Sequence, residues 1–283
     1  MAETITRAWK NTARVGMVEP LRKLAAGSVS EKKIQAFVKA LGAKLKRPLT
    51  KRQIKILEGR IRSIYKVAKK MGAREAKSTF NFAQVDARAV QVINRHQVFW
   101  VGDFYSEHLS KRIAGVAEDV MIQQGLPQRE AARVLKQALH QEFGITPGGR
   151  SQFAKDIPAR YAGNPDLYFR QVASNAAHQS RTFGKMRAFS DAGVVSYRLI
   201  NPMDTRTGQI CQVMAGRVFT VETGVKHMER MLGATDPKEI KDIAPWLSAP
   251  KLQAAANRGD LEKVGAILPP FHALCRTEPV VIS

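Results

Sequence analysis

Cysteine is scarce in this chain: two residues in 283. That excludes a disulfide framework and predicts a reducing compartment. Long apolar runs are missing as well. No stretch approaches the roughly 18 residues that a membrane-spanning helix needs. Aromatics make up only 7%, which argues against a basic amphipathic helix lying on a membrane. The opening Met1-Ala2-Glu3-Thr4-Ile5-Thr6-Arg7 has no apolar core of a secretory signal. The expectation is a chain made and used inside a cell, or packed into something assembled there. Catalytic signatures are also absent: no Gly-rich oxyanion loop, nucleophile elbow, HExxH or phosphate-binding Gly-Lys-Ser/Thr occurs. On this reading the protein is not an enzyme.

Acidic residues are the last shortage, with 24 Asp and Glu against 46 Lys and Arg, a formal net charge of +22. The imbalance is uneven. Residues 1–80 hold 21 basic and five acidic side chains, and residues 81–283 hold 25 and 19. A basic arm on a nearly balanced body suits a polyanion, either nucleic acid or an acidic protein surface. A solvated face that only aids solubility is the plainer reading. Apolar residues, at 44%, are sufficient for a sizeable core in two domains or one elongated one.

Hydrophobic spacing predicts a mainly α chain with a small C-terminal α+β module. Three segments are expected: a basic helical arm or hairpin at 1–80, a helical domain at 81–150, and an α+β module at 151–283 with a helical insertion at 222–266. Residues 1–27 have weak periodicity, equally suited to a helix or to ordering on a partner. Ser28 or Ser30 can cap a helix from Glu31, whose apolar face is Ile34, Phe37, Val38, Leu41 and Leu45, with Pro48 ending it. Thr50-x-x-Gln53 is a capping box for the next helix. There Ile54, Leu57, Ile61, Ile64, Ala68 and Met71 form a heptad-like seam, and the two helices pair as an antiparallel hairpin. The predicted polyanion contacts are Lys32, Lys33, Lys44, Lys46, Arg47, Lys51, Arg52, Lys55, Arg62, Lys66, Lys69, Lys70 and Arg74.

Further on, a break at Gly125-Leu126-Pro127 precedes a helix with the stripe Leu135, Leu139 and Phe143, stopped by Gly144. A loop is expected at 145–165, then a long helix at 166–191 capped near Asn164-Pro165 and stopped by Gly193. Val194–Ile200 alternates as a strand, with Val195, Tyr197 and Leu199 on one face. Short strands at 217–221 and 279–282 complete a short antiparallel sheet.

The reactive side chains gather in two loops. Asp204 and Cys211 lie in one, and His272 and Cys275, three apart, in the other. Thiolate and imidazole are natural zinc ligands, and His-x-x-Cys lets one tight turn present both. With Asp204 as an oxygen donor the set could bind zinc. The same residues could close a hydrogen-bonded knot, or the cysteines could be small buried hydrophobes. Cys211 with His272, oriented by Asp204, also has the composition of a nucleophile pair. The other histidines, His96, His108, His140, His178 and His227, fall singly on predicted helices and suit surface or core positions better than ligation.

The pattern Asp204-x-Arg206-Thr207-x-x-x-Cys211-x-x-Met214-x-Gly216-x-Val218-Phe219, followed by Pro269-Pro270-x-His272-x-x-Cys275-Arg276, resembles the C-terminal module of Mu-F-type minor head proteins of tailed phages. Ser180-Arg181-Thr182 with Ala192-Gly193 is similar too, although Phe183 stands where that family usually has Glu. The resemblance covers about residues 110–280 and leaves 1–80 uncovered. It implies a head morphogenesis protein made in the host cytoplasm and held in the virion, inside the capsid near the portal. The implied partners are the portal protein, packaged double-stranded DNA, and the scaffold or major capsid protein, with no membrane during assembly. It marks Arg181, Arg206, Thr207 and Arg276 as motif residues. Two other readings stay open: a metal-dependent nuclease or hydrolase using the Asp204, Cys211, His272 and Cys275 cluster, and a plain nucleic-acid-binding module.

Overall fold

A computed structural model describes residues 1–24, 31–104, 113–114, 116–117, 119, 128–142, 165–272 and 274–282. The expected caps at Ser28, Ser30 and Asn164, the break at 125–127, the Phe143–Gly144 stop, the loop at 145–164 and His108 lie outside them. The protein is mainly helical with a small antiparallel sheet near its C-terminus, as its periodicity predicts. No helix among the described residues is long and apolar enough to cross a membrane.

The chain divides into two compact units. One joins residues 1–54 to 98–172, and the other joins 55–97 to 173–283. This division differs from the three consecutive segments expected above, because three continuous helices, introduced below, each contribute to both units.

In the first unit, residues 1–24 form α1 (Ala2–Gly16) and α2 (Val18–Leu24). Ile5, Trp9, Ala13, Met17 and Leu24 are buried, so this segment orders on its own chain. α3 (Glu31–Leu45) lays Ile34, Phe37, Leu41 and Leu45 against α1 and α2. The Trp9 and Phe169 rings lie 5.7 Å apart, and the Tyr168 hydroxyl donates to the Trp100 carbonyl at 2.9 Å.

α4 (Lys51–Glu75) opens on the expected capping box. Thr50 N donates to Gln53 Oε1 at 2.8 Å, and Gln53 N donates back to Thr50 Oγ1 at 3.2 Å. From Lys55 onward α4 belongs to the second unit, and α3 packs on α1 and α2 within the first. The buried face of α4 is Leu57, Ile61, Tyr65, Ala68, Lys69, Gly72 and Ala73, while Met71 is exposed. The seam is rotated from the heptad reading because Tyr65 and Lys69 find a partner. α5 (Gln84–Phe99) carries Asp86, which is fully buried. Asp86 accepts from Tyr65 Oη at 2.9 Å, Lys69 Nζ at 2.8 Å and Ala83 N at 2.7 Å. Asp191 adds a second carboxylate to Lys69 at 2.7 Å.

α6 (Gln128–Glu142) buries Leu135 and Leu139 in the first unit. α7 (Pro165–Asp191) is the long predicted helix, and Gly193 follows it at φ +69°. In the second unit α7 crosses α4 at glycines. A Cβ on Gly184 would sit 2.7 Å from the Tyr65 carbonyl oxygen, and one on Gly72 would sit 3.1 Å from Lys185 Cα. At this crossing Lys185 reaches Glu75 at 2.8 Å and Glu278 at 3.5 Å.

The sheet has the order β2-β1-β3, with β1 (Ser196–Ile200) central and antiparallel to β2 (Val218–Thr220) and β3 (Glu278–Val281). Tyr197 and Leu199 are buried as expected. Val195 precedes the strand and is exposed, contrary to the alternation. Between β1 and β2 lies α8 (Gln209–Met214). The insertion is helical: α9 (Val221–Gly233), a 3-10 turn, α10 (Ile240–Ile243) and α11 (Ala249–Asn257).

Candidate metal centre

Pairing of β1 with β3 brings the two motif loops together. The register sets Ile200 opposite Glu278, so the chain leaving β1 at Asn201 lies beside the chain entering β3 at Thr277. About sixty residues of intervening sequence are closed by this one strand pair.

Each loop is fixed locally. In the first, Thr207 N donates to the Asp204 carbonyl at 2.9 Å, and the Thr207 hydroxyl donates to the Pro202 carbonyl. Asn201 Nδ2 then binds the Cys211 carbonyl at 2.5 Å, tying α8 to the end of β1. In the second, the Pro269–Pro270 bond is cis, and Trp246 Nε1 donates to the Pro270 carbonyl at 3.1 Å. Leu274, exposed, takes a left-handed backbone (φ 57°) that turns the chain between His272 and Cys275. A branched side chain in that region costs about 1 kcal/mol, which the surrounding contacts must offset.

The result is a compact set of three ligand groups. Cys211 Sγ lies 2.8 Å from His272 Nε2 and 3.9 Å from Cys275 Sγ. The ligand atoms of Cys211, His272 and Cys275 all fall within 4.8 Å of one another, and this group can hold a metal ion. Both cysteines are buried and unpaired by disulfide. Tetrahedral zinc with bonds of about 2.3 Å to sulfur separates two thiolates by roughly 3.7 Å, close to the sulfur–sulfur distance here. The Cys211–His272 distance is a hydrogen bond, and an ion between them would widen it to roughly 3.5 Å.

The thiols are unequal. The neighbouring Cys275 thiol favours a Cys211 thiolate, and His272 adds to this; the same contact and burial push Cys275 up. Beneath them lie two residues that the sequence did not single out as a pair. His178 Nε2 is 2.8 Å from the Thr277 carbonyl, and burial holds its imidazole below the usual range. Thr277 Oγ1 is fully buried without a hydrogen-bond partner among the described residues. Its hydroxyl favours the Cys211 thiolate. Only the strand register reveals them, since His178 is 99 residues from Thr277.

Asp204 is not among the ligands, contrary to the sequence expectation. Arg276 grips its carboxylate from two nitrogens, at 2.9 and 2.5 Å. Arg206 adds a backbone N–H at 3.0 Å and a guanidinium contact at 3.3 Å, and Thr207 Oγ1 lies 3.3 Å from the same carboxylate. Arg276 above all holds this carboxyl well below the usual carboxylate range. Asp204 is therefore occupied as an ion-pair anchor. Arg206 and Thr207 belong to the same anchor, whereas Arg181 is exposed on α7.

The predicted polyanion residues separate. Lys32, Lys44, Lys46, Arg47, Lys51 and Arg52 are exposed in the first unit, where Lys33 is half-buried. Lys55, Lys66, Lys70 and Arg74 are exposed in the second. Arg62 is half-buried, bonded to Glu58 at 3.1 Å and 5.9 Å from the Phe82 ring centroid. Lys69 is 2% exposed and neutralised by Asp86 and Asp191, so it is no surface cation. The basic residues thus fall in both units.

Compared with protein-family models, with curated proteins and with solved structures, the chain matches none of them.

Proposed function

We propose that this chain is a minor head protein of a tailed phage, associated with the portal inside the capsid. In this reading its exposed N-terminal cations contact packaged DNA, and Cys211, His272 and Cys275 hold a structural zinc ion. The observation that carries it is the meeting of the two motif halves: the residues that support the Mu-F-type resemblance, some sixty positions apart in sequence, form one anchor and one ligand cluster. The anchor is Asp204–Arg276, and the cluster is the sulfur–histidine group. Bound zinc would supply the cohesion that a larger sheet otherwise provides, since soft ligands at three points fix both loops. His178 and Thr277 would then act behind the ligands, one holding the backbone and the other offering a hydroxyl to the Cys211 sulfur.

Metal analysis of the purified chain tests the clasp. Wild-type protein is expected to carry about one zinc, and Cys211→Ser and His272→Ala are expected to lose the metal together with thermal stability. Metal-free wild-type protein of unchanged stability would end the structural-zinc reading. The DNA contact is tested by reversing charge at Lys44, Lys46, Arg47, Lys51 and Arg52, which leaves the packed face of α4 intact. Nonspecific duplex binding should weaken, and the slope of log affinity against log salt should fall by up to about 0.9 for each phosphate that is no longer neutralised.

Three protein ligands leave a fourth position for water, which supports a second reading as a metal-dependent nucleic-acid hydrolase. A Cys211→Ser chain that folds normally yet loses a metal-dependent nuclease activity present in wild type would favour it over the structural role.

A further inference from the structure

We propose that Cys211 and Cys275 are a cross-linking pair: a small oxidant of the peroxide class converts the clasp into a Cys211–Cys275 disulfide, in place of the metal-holding dithiol. The argument is geometric. The two sulfurs lie 3.9 Å apart on the same hydrogen bond, and they are the protein's whole complement of cysteine. A disulfide needs them at about 2.05 Å, an approach of under about 2 Å that rotation about the Cα–Cβ bonds can cover. Both are buried, at 3% and 6% exposure. Burial favours joining to each other over pairing with a second molecule, and it admits a small oxidant more readily than a protein thiol.

The chemistry balances with one peroxide. The Cys211 sulfur attacks a peroxide oxygen, the O–O bond breaks, and the departing hydroxide takes the thiol proton and leaves as water. The Cys275 sulfur then attacks the resulting sulfenic sulfur. The S–O bond breaks, and the second hydroxide leaves as water with the Cys275 proton. Two thiols are oxidised to one disulfide, and one peroxide is reduced to two waters.

The disulfide and the metal exclude each other, because the same sulfurs serve both. Reduced, the two loops are joined by hydrogen bonds or by an ion; oxidised, they are joined covalently across 64 positions of sequence. For a chain assembled in a reducing cytoplasm and later released outside the cell, the covalent form is the one favoured after release. That timing rests on the virion reading, whereas the cross-link does not.

The full-length chain, stripped of metal, is treated with hydrogen peroxide under native conditions and its intact mass is read. A monomer lighter by about 2 Da, reversed by dithiothreitol, is expected. Non-reducing peptide mapping should link the Cys211 and Cys275 peptides. Cys275→Ser should instead gain one oxygen, about 16 Da, at Cys211. The same treatment of zinc-loaded protein should release the ion as the disulfide forms, read with a colorimetric chelator. An unchanged mass in protein whose thiols both react after denaturation would overturn the proposal. So would sulfinic acid in place of the disulfide, or linkage only between chains. A metal-free chain that cross-links but never binds zinc would leave this proposal standing while the zinc reading falls. A chain that binds zinc and fails to cross-link when stripped gives the opposite result.

Discussion

Two of the polar clusters that the second unit buries differ in whether their bonding is complete. Around Asp86, donors and acceptors match: its carboxylate takes a phenol, an ammonium and a backbone N–H, and Lys69 has two carboxylates. Around Cys211, three ligands converge within 4.8 Å and a buried hydroxyl has no bonding partner among the described residues. A satisfied cluster has nothing further to bind and serves the fold. An unsatisfied one retains a capacity for chemistry. Burial and charge alone therefore do not mark a functional site.

The largest expected effect tests the satisfied side. Asp86→Asn leaves the buried Lys69 ammonium short of its inner counter-charge and should cost about 3–5 kcal/mol in denaturant unfolding. A cost below about 1 kcal/mol would show that the cluster is slack and would erase the contrast.

Buried histidines come next. Burial, above all, depresses His96 and His227 to about 4, from an ordinary 6.5. The unfolded chain therefore binds protons more readily than the folded one between those values. Stability should be complete above pH 6.5 and should fall as pH drops toward 4, by up to about 3 kcal/mol per histidine. His227→Phe should flatten this acid limb in a series of melts from pH 7 to pH 4. An identical limb would place the acid sensitivity elsewhere.

Metal tests the other side. At free zinc 100-fold above its dissociation constant, the clasp should gain about 2.7 kcal/mol, seen as a rise in Tm for wild type and none for Cys211→Ser. A similar rise in both would mean that zinc binds outside the clasp. The smallest effect belongs to the exposed rim of the anchor. Arg206 is 78% exposed, so Arg206→Ala should change stability by less than about 0.5 kcal/mol. Arg276→Ala, which removes the two-nitrogen grip on Asp204, should cost more. Equal losses would mean that the anchor works through Arg206.

Much of the fold was legible because its signals are local. The Thr50–Gln53 box, the long helix before Gly193 and the Tyr197–Leu199 alternation all act within a few residues. The three ligands were legible from chemistry, since few other side chains suit soft metal binding. What escaped depended on distant partners. Periodicity sets Lys69 outside the core, because it cannot see that Asp86 will neutralise it. Asp204 reads as a ligand until Arg276, next to Cys275, claims its carboxylate. His178 and Thr277 meet only through strand pairing. The unit boundaries were hidden because α4, α5 and α7 run through them without any break in composition.

The glycine crossing of α4 and α7 has a mechanical meaning. Where Gly184 meets the Tyr65 carbonyl, no side chain intervenes to bend or trim, so the two rods seat like a key in a keyway. A helix advances about 1.5 Å per residue, and a slip of one residue would drive a Cβ into backbone. α7 also carries Lys185 to β3 and His178 to Thr277. The keyway therefore sets the reach of both arms, and with them the place where Cys275 meets Cys211.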